Sequence, residues 1–485
     1  MEVAHLFIAD SRLPIAGHNG ALLSTYLSAF AFTRTTAGKP PPQVDGVGLH
    51  TPAVAPPFVR GVTHLLPSIP ARHRISPDGL RNTTQYFRDW TSGTSPDALF
   101  IYNPSIIALS GLYLTKLTVD QERPPVYLSS YRLSSVHSCG FPTYAFWDHP
   151  RNLFGFALLD AGLELIPGSD VVIDLNEYFA KSVHFEDLRL FEIGSIVYLS
   201  SYEKLVPIDI ATPGRGSRNR KLLLPNLFGN GLEVSIRGSP IAMYFSGKNF
   251  QYFKSGMKND EDDKKGKILV EAWPARPRVV FELDLESTNT TSDKYGTRTI
   301  LAMTKHESGY LPAESSTLNA SLTKMFIRRD RGTACCVLID NVHYQDLLSD
   351  DAILSHDYVL VGVAHTKSRG RMPSSQGDRF NYLSRLYAFS PHPPYPLLAR
   401  SGLLCFGFPR GEEAEADPYA ALTQSKRLEL YDQQFDCPNI HFVSGIAEKV
   451  GDDSKIIVAY GVNDCVSRMV EINKRDFAER LFSPR

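Results

Sequence analysis

The chain has 485 residues, of which 43% are hydrophobic and 21% are charged, a balance typical of a folded globular protein. Its formal net charge of −1 excludes the strongly basic composition of many nucleic-acid-binding and membrane-surface proteins. We therefore predict no nucleic-acid partner. The length suffices for one large β domain or for two or three smaller domains.

No apolar run in the sequence reaches the roughly 18 residues that a membrane-spanning helix needs. The nearest approach is "ALLSTYLSAFAF" at residues 21–32, and no basic leader opens the chain. We predict neither a membrane span nor a signal peptide. That expectation favours the cytoplasm without fixing the compartment.

The cysteines and glycines give no sign of a metal ion or a nucleotide cofactor. The six cysteines form no C-x-x-C pair with metal-ligand spacing, and an even number also permits disulfides. No G-x-G-x-x-G or P-loop pattern occurs to cradle a phosphate-bearing cofactor. The sequence therefore predicts no metal site and no cofactor.

In chain order, residues 1–97 come first and are weakly patterned, with loop-like stretches rich in proline and glycine. From residue 98 to about residue 470, short apolar, β-branched and aromatic runs alternate with turn residues, which is typical of an all-β domain. Charged insertions interrupt this domain at residues 258–267 and 411–418. The tail, residues 471–485, contains one predicted helix at about residues 473–482.

Five strands of the predicted domain end alike, in small residues followed by a polar group. Small residues permit close approach or sharp twist of strands, and strand ends of this kind converge when sheets surround a central channel. The pattern favours a five-bladed β-propeller, and a β-sandwich with a second β domain is the alternative. The five strands cover residues 126–134, 196–204, 241–250, 358–367 and 456–464.

Six short motifs in a fixed order point to a known family. Together they resemble the five-bladed β-propeller enzymes that act on β-mannosides, namely glycoside hydrolase family 130 and the mannosyltransferase/phosphorylases of glycosyltransferase family 108. The resemblance covers roughly residues 98–470 and leaves the first hundred residues outside it. The motifs are "YNPSII" (102–107), "YLSSYR" (127–132), "FEDLRLF" (185–191), "GKNFQYF" (247–253), "LVGVAH" (360–365) and "YGVND" (460–464).

The resemblance implies specific roles for matching residues. The family's E-D-P-R aspartate, its proposed general acid, falls on Asp187, with Leu188 in place of the family's proline. The implied substrate-binding residues are Asn103, Arg132, Glu186, Arg189, Asn249 and Asp464. The implied phosphate-binding residues are Lys248, His365 and Lys367, with Arg132 as a further candidate.

The chemistry of a phosphorylase explains why one acid can suffice. Ordinary glycosidases use two carboxylates, whereas phosphate can itself attack the anomeric carbon and then needs a cationic pocket. Asp187 is the predicted proton donor. Glu186 and Arg189 are predicted to adjust its charge, since a neighbouring carboxylate raises a pKa and an arginine lowers it. Strand alternation places Asp187 and Arg189 on one face if the stretch is a regular strand.

Each residue also has a purely structural interpretation. Asp187 and Arg189 can be a salt-bridged strand start, His365 a packed strand-end histidine, and Asp464 a turn residue. Lys248 and Asn249 can close a turn. Tyr102 and Tyr460 can be core residues instead of platforms for a sugar ring.

Two functions of different classes follow. The first is an inverting enzyme that transfers a β-linked mannosyl unit between a mannose-containing oligosaccharide and phosphate, or from a sugar-phosphate or nucleotide-sugar donor to a glycan. The second is a propeller that binds glycan or protein without catalysis. Convergence of Asp187, Arg132 and Asp464 on one pocket would favour the enzyme.

Overall fold

The computed structural model describes twenty-one segments of the chain. Residues 1–99, which include the predicted extension at 1–97, lie outside them. The described segments are 100–117, 123–134, 153–166, 168–173, 187–193, 196–201, 204–211, 233–236, 241–242, 250–254, 268–273, 279–293, 296–307, 330–348, 357–369, 380–401, 404–406, 431–432, 437–438, 440–462 and 466–482.

Strands dominate the described residues. The first eleven are β1 (Phe100–Ala108), β2 (Tyr127–Ser134), β3 (Leu153–Leu159), β4 (Val171–Ile173), β5 (Arg189–Ile193), β6 (Ile196–Ser201), β7 (Lys204–Ala211), β8 (Glu233–Ile236), β9 (Ile241–Ala242), β10 (Gln251–Lys254) and β11 (Ile268–Trp273). The others are β12 (Val279–Asp293), β13 (Gly296–Glu307), β14 (Asp330–Asp340), β15 (Tyr358–Arg369), β16 (Phe380–Phe389), β17 (Leu397–Arg400), β18 (Tyr431–Asp432), β19 (Cys437–Pro438), β20 (His441–Glu448), β21 (Lys455–Val462) and β22 (Val466–Asn473).

Helix is scarce in the same residues. Two α-helices are present, α1 (Gly111–Leu117) and α2 (Lys474–Phe482), with 3₁₀ turns at Asn341–His343 and Gln345–Leu347. Helix α2 confirms the helix predicted near the end of the sequence, and it buries Phe477, Ala478 and Leu481 on one face. Neither α-helix in the described part of the chain has the length and apolar character needed to cross a membrane.

The strands form sheets that are antiparallel nearly throughout. The orders are β20-β21-β22-β1-β2-β3-β4, β10-β11-β12-β13-β9-β7-β6-β5 with β8 beside β7, β14-β15-β16-β17, and the pair β18-β19. Among the named strands that pair in the described segments, β1 with β22 and β13 with β9 are parallel. The prediction of an all-β fold is confirmed.

Five of the described strands contact one another in a closed circle, and we call them the central strands. Strand β1 contacts β5, β5 contacts β10, β10 contacts β14, β14 contacts β20, and β20 contacts β1. These contacts close a circle among strands that belong to three different sheets. Each central strand is followed by an antiparallel neighbour, in turn β2, β6, β11, β15 and β21.

Hydrophobic clusters fill the spaces between neighbouring groups of strands. Successive clusters join β1–β4 to β5–β7, β5–β7 to β10–β12, β10–β12 to β15–β17, β14–β17 to β20–β22, and β20–β22 back to β1–β3. Strands such as β3 and β20 are therefore buried along nearly their whole length, on both faces. Burial of each large apolar side chain is worth about 1.5–3 kcal/mol, so this packing holds the groups around the centre.

Four of the five strands with similar ends correspond to β2, β6, β15 and β21, and each of these pairs with a central strand. Of the fifth, residues 241–250, the structure describes Phe250 and β9 (Ile241–Ala242), which pairs with β7 and β13, while residues 243–249 lie outside the described segments. The neighbour of β10 is β11.

His441 is a fully buried polar residue at the start of β20. Its Nε2 accepts a hydrogen bond from the backbone N–H of Phe406 (3.0 Å), so Nδ1 carries the proton and donates to Ser384 Oγ (2.9 Å). Burial lowers the pKa of His441 to about 3. The imidazole therefore joins β20 to β16 and to residues 404–406 in its neutral form.

We expect the stability of the fold to fall as the pH drops from about 6.5 toward 3. The unfolded state takes up the His441 proton at its ordinary pKa of about 6.5, whereas the folded state resists protonation until about 3. The contribution of His441 to the free energy of unfolding is fully present above the unfolded pKa. Below that pKa it is lost at up to about 1.4 kcal/mol per pH unit. Denaturant unfolding at several pH values measures it.

His441→Gln should unfold more easily at neutral pH but lose part of this pH dependence. His392→Gln is the control, because His392 is exposed. If His441→Gln keeps the wild-type slope between pH 6.5 and 4, His441 is not the group responsible.

Candidate functional site

One face of the central circle carries those predicted site residues that the structure describes. Arg189, at the start of β5, donates from Nη1 to the carbonyl of Phe250 just before β10 (3.0 Å), and its guanidinium lies 5.7 Å over the ring of Phe442 in β20. The Phe442 ring in turn packs edge-on against His365 near the end of β15. The starts of central strands and the ends of their neighbours therefore meet on the same side.

Asp187 and Asn103 form the centre of this face. The amide Nδ2 of Asn103 donates to Asp187 Oδ1 (2.8 Å). Both residues have φ of +49°, in the left-handed region that asparagine and aspartate tolerate better than most residues. Backbone strain of this kind concentrates at functional sites, where surrounding structure holds it in place.

Arg132 approaches the same carboxylate oxygen from β2. Its Nη1 lies 3.3 Å from Asp187 Oδ1, and the two side chains are only 9% and 19% exposed. The guanidinium also lies 5.2 Å over the ring of Tyr102, which is opposite Arg132 in the β1–β2 register. Because little solvent reaches these side chains, the electrostatic attraction between them is stronger than in an exposed ion pair.

A bulge in β1 makes the arrangement possible. The pairing of β1 with β2 shifts between Tyr102 and Ser105, which turns Asn103 out of the regular alternation. Ser105 fixes the strand after the bulge: its Oγ accepts the N–H of Leu190 (3.0 Å), and its carbonyl accepts Ser129 Oγ–H (2.8 Å). Strand β1 is thereby hydrogen-bonded to the segment that carries Asp187.

Arg189 supports the face from within. Burial lowers the pKa of its guanidinium to about 10, and the negative charge of Asp187 works in the opposite direction. The predicted alternation of residues 187 and 189 does not apply, because β5 begins only at Arg189 and Asp187 has a positive φ. Asp187 is instead held by Asn103 and Arg132, from the adjacent strands β1 and β2.

A cavity lies between the central strands. It is narrow, with room for about one water molecule. The lining is mostly contributed by β5, β10, β14 and β20, and its polar members include Arg189, Ser200, Gln251, Thr333 and Ser444. A polar cavity of this kind accommodates water or polar ligand groups better than hydrocarbon.

The other predicted residues divide into two groups. His365 is buried, with its ring 5.6 Å from that of Tyr382, an aromatic setting that matches its structural interpretation. Its phosphate-binding role stays a prediction. Tyr102 and Tyr460 are completely buried and pack as core residues. Glu186, Lys248, Asn249 and Asp464 lie outside the described residues, as does the side chain of Lys367.

Asp330 is a carboxylate that sequence reasoning did not identify. It opens β14 and is buried, with Arg385 Nε 3.4 Å from its Oδ2. Burial raises its pKa, and the positive charges of Arg385 and Arg400 oppose that rise. An aspartate engaged in this way serves the fold of β14–β16. Within the described segments, no group of three His, Cys, Asp or Glu side chains could hold a metal ion.

Sequence reasoning also missed Ser105 and Gly461. Ser105 lies inside the "YNPSII" motif, and Gly461 lies inside "YGVND". The available signal was the glycine within an apolar strand, which often marks a close approach of another chain segment. Nothing local distinguishes Ser105 from any other strand serine.

Several solved structures are similar to this chain at low identity. A GDP-Man-dependent mannosyltransferase, MPT-1, from Leishmania mexicana is 12% identical, with 81% of this chain and 95% of that chain covered and a TM-score of 0.34. The mannose phosphorylase MPT-4 from the same organism, in complex with a phosphate ion, is 10% identical, with coverages of 83% and 97% and a TM-score of 0.33. A β-1,2-mannobiose phosphorylase from Listeria innocua is 12% identical, with coverages of 68% and 69% and a TM-score of 0.33.

No protein-family model and no curated protein matches the sequence. The structural neighbours include mannoside phosphorylases of family GH130 and Leishmania mannosyltransferases, in agreement with the resemblance of the motifs. Identities of 10–12% and TM-scores of 0.33–0.34 decide neither fold nor function. The functional conclusion therefore depends on the residues of the site.

The left-handed backbone at residue 103 makes a specific prediction for two substitutions. Asn103→Gly and Asn103→Ala both remove the amide, but alanine in this conformation costs about 1–2 kcal/mol more than glycine. We expect Asn103→Gly to be the more stable variant in denaturant unfolding. At Ser467, a buried residue in the regular strand β22, the order should be reversed, since glycine weakens a strand. An Asn103→Ala variant as stable as Asn103→Gly would contradict the strained backbone.

Proposed function

We propose that the protein is a five-bladed β-propeller enzyme that transfers a β-linked mannosyl unit with inversion, using Asp187 as general acid. The propeller would occupy about residues 98–470, with residues 1–97 as an extension and residues 471–485 as a helical tail. The closed circle of five central strands and the clusters between neighbouring groups support the blade count.

The observation that carries the catalytic part is the junction of Asp187, Asn103 and Arg132. These residues come from distant parts of the sequence, yet the Asn103 amide and the Arg132 guanidinium both lie against Asp187 Oδ1. All three also occupy the positions that the mannoside-enzyme motifs assign to the acid and to two sugar-binding residues. A salt-bridged strand start would need neither the second partner nor two residues in the left-handed region.

The contacts suggest how the acid would work. The Asn103 amide and the Arg132 guanidinium hold Oδ1 and thereby fix the orientation of the carboxyl group. Asp187 would protonate the glycosidic oxygen, directly or through a sugar hydroxyl, as phosphate attacks the anomeric carbon from the opposite side. In the synthetic direction a glycan hydroxyl attacks, and its proton returns to Asp187.

The anion site is proposed from the sequence and from charge. Lys248, Lys367 and Arg132 are the cations that the motif order brings toward the acid, with His365 as a further candidate for the anion pocket. A phosphate dianion needs such a pocket, since charge-assisted hydrogen bonds hold it best. Asn249 and Asp464 would bind sugar hydroxyls, and Glu186 would lie beside the acid.

A product assay tests the proposal directly. The protein is incubated with a manno-oligosaccharide acceptor and either mannose 1-phosphate or GDP-mannose. Phosphate release identifies a phosphorylase working in reverse, and GDP release identifies a transferase. Binding of the oligosaccharide without either product favours the second candidate, a propeller that binds glycan without catalysis.

Asp187→Asn should lower turnover by about 10²–10⁴-fold, the usual contribution of general acid catalysis, while the fold survives. Asparagine keeps the shape of the side chain but cannot donate the same proton. Asp346→Asn is the matched control, because Asp346 is an exposed aspartate paired with Arg475. Near-normal turnover of a folded Asp187→Asn variant would leave this aspartate a structural residue.

A further inference from the structure

Gly461 lies against the residue that holds the proposed acid. A Cβ atom built at Gly461 would fall 1.9 Å from Asn103 Oδ1 and 2.9 Å from the Asn103 backbone nitrogen. Distances this short are not found between real atoms of this kind, so even one methyl group at this position displaces Asn103. The φ of Gly461 is not in the left-handed region. Glycine is therefore needed at residue 461 because it has no side chain, and not because of its conformational freedom.

The contact cannot be relieved by a simple side-chain rotation. At Gly155 and Gly362, a Cβ would meet only the side chains of Tyr131 and Tyr387. At Gly461 it would meet both the amide and the backbone of Asn103. That backbone is fixed by the β1 bulge and by Ser444 Oγ–H, which donates to the carbonyl of Pro104 (2.7 Å).

Gly461 and Asp187 therefore lie against different atoms of the Asn103 amide, Oδ1 and Nδ2. Gly461 belongs to β21, where it pairs with Phe442 of β20 and Ser467 of β22. The amide of Asn103 reaches Asp187 Oδ1 on the other side (2.8 Å). Gly461, in the group β20–β22, thus sets the position of the Asn103 side chain in the group β1–β4, next to the start of β5.

We infer that Gly461 is a positioning residue for Asp187, acting through Asn103. The inference rests on the proposed function for the catalytic meaning of Asp187. The steric argument does not depend on that function. Because residue 461 has no side chain, the Asn103 amide can lie within hydrogen-bonding distance of the Asp187 carboxylate. Any side chain at residue 461 uncouples that hydrogen bond.

A double-mutant cycle tests the inference. Gly461→Ala should lower turnover about as much as Asn103→Ala does, and the double variant should lose much less than the two single losses combined, because Asn103→Ala removes the amide that makes the closest clash. Residues that act through one contact are non-additive in this way. Additive losses in turnover would overturn the inference, because Gly461 would then act without Asn103.

Ala459→Val is the matched control for a steric insertion into the same strand. Ala459 is fully buried two residues before Gly461 and packs in the cluster between β20–β22 and β1–β3. The larger side chain should reduce stability, as overpacking does, but leave the turnover of the folded protein near the wild-type value. If Ala459→Val lowers turnover as much as Gly461→Ala, the effect is general destabilisation and the inference fails.

The pH profile adds a readout that destabilisation does not move. The Asn103 N–H favours the ionised carboxylate, so its loss should shift the alkaline limit of activity to higher pH in both Gly461→Ala and Asn103→Ala. The charged groups that the structure places around Asp187, Arg132 at 3.3 Å and the nearby Arg189, are unchanged in these variants. An unshifted limit in Gly461→Ala would count against the inference.

Failure of the proposed function can be distinguished from failure of the contact between Gly461 and Asn103. If no donor supports transfer, the same cycle can be followed by denaturant unfolding. Gly461→Ala should then destabilise the wild-type chain more than it destabilises Asn103→Ala, since the closest clash, with the amide oxygen, is absent from the alanine background. Equal destabilisation in both backgrounds would refute the contact itself, whatever the activity.

Discussion

The structure depends on strands that are buried on both faces. A sheet exposed on one side would show polar residues at alternate positions, whereas β3 is buried throughout and β20 and β21 nearly so. Such strands need a partner layer on each side. Hydrophobic clusters between successive groups meet that need and return to the first group. The arrangement brings five strands together at the centre.

The site is a consequence of that closure. Asn103 and Arg132, which hold the Asp187 carboxylate at Oδ1, come from β1 and β2, so this arrangement exists only because those strands lie beside the start of β5. The bulge in β1 and the two left-handed residues cost conformational energy. Hydrogen bonds from Leu190 to Ser105 and from Ser444 to Pro104 offset it by fixing the bulged strand on both sides.

Buried polar groups elsewhere in the described strands also have hydrogen-bond or ion-pair partners, which stabilise the fold. His441 has hydrogen-bond partners at both ring nitrogens, and the Asp330 carboxylate pairs with Arg385. Each partner offsets the cost of removing a polar group from water. Arg189 differs from these structural pairs, because it also lines the central cavity and lies two residues from Asp187. Charged side chains therefore occur both on the face that carries Asp187 and inside the groups of strands.

The sequence by itself determined the all-β class, the C-terminal helix and four of the five strands that lie next to the central ones. These features depend on local periodicity and on turn residues, which neighbouring positions reveal. The ordered motifs also singled out Asp187, Asn103 and Arg132, which the structure brings together. Of the strand expected over residues 241–250, the structure describes only Ile241–Ala242 and Phe250, and the strand beside β10 is β11.

Only the tertiary structure decided the positive φ of Asp187, the aromatic surroundings of His365, and the pairing of Asp330 with Arg385. It alone revealed that Gly461 leaves room for Asn103, 358 positions earlier by the numbering of the chain. Each of these features depends on a contact between residues far apart in sequence. Local pattern carries no information about such contacts, because the closure of the strand groups around the centre creates them.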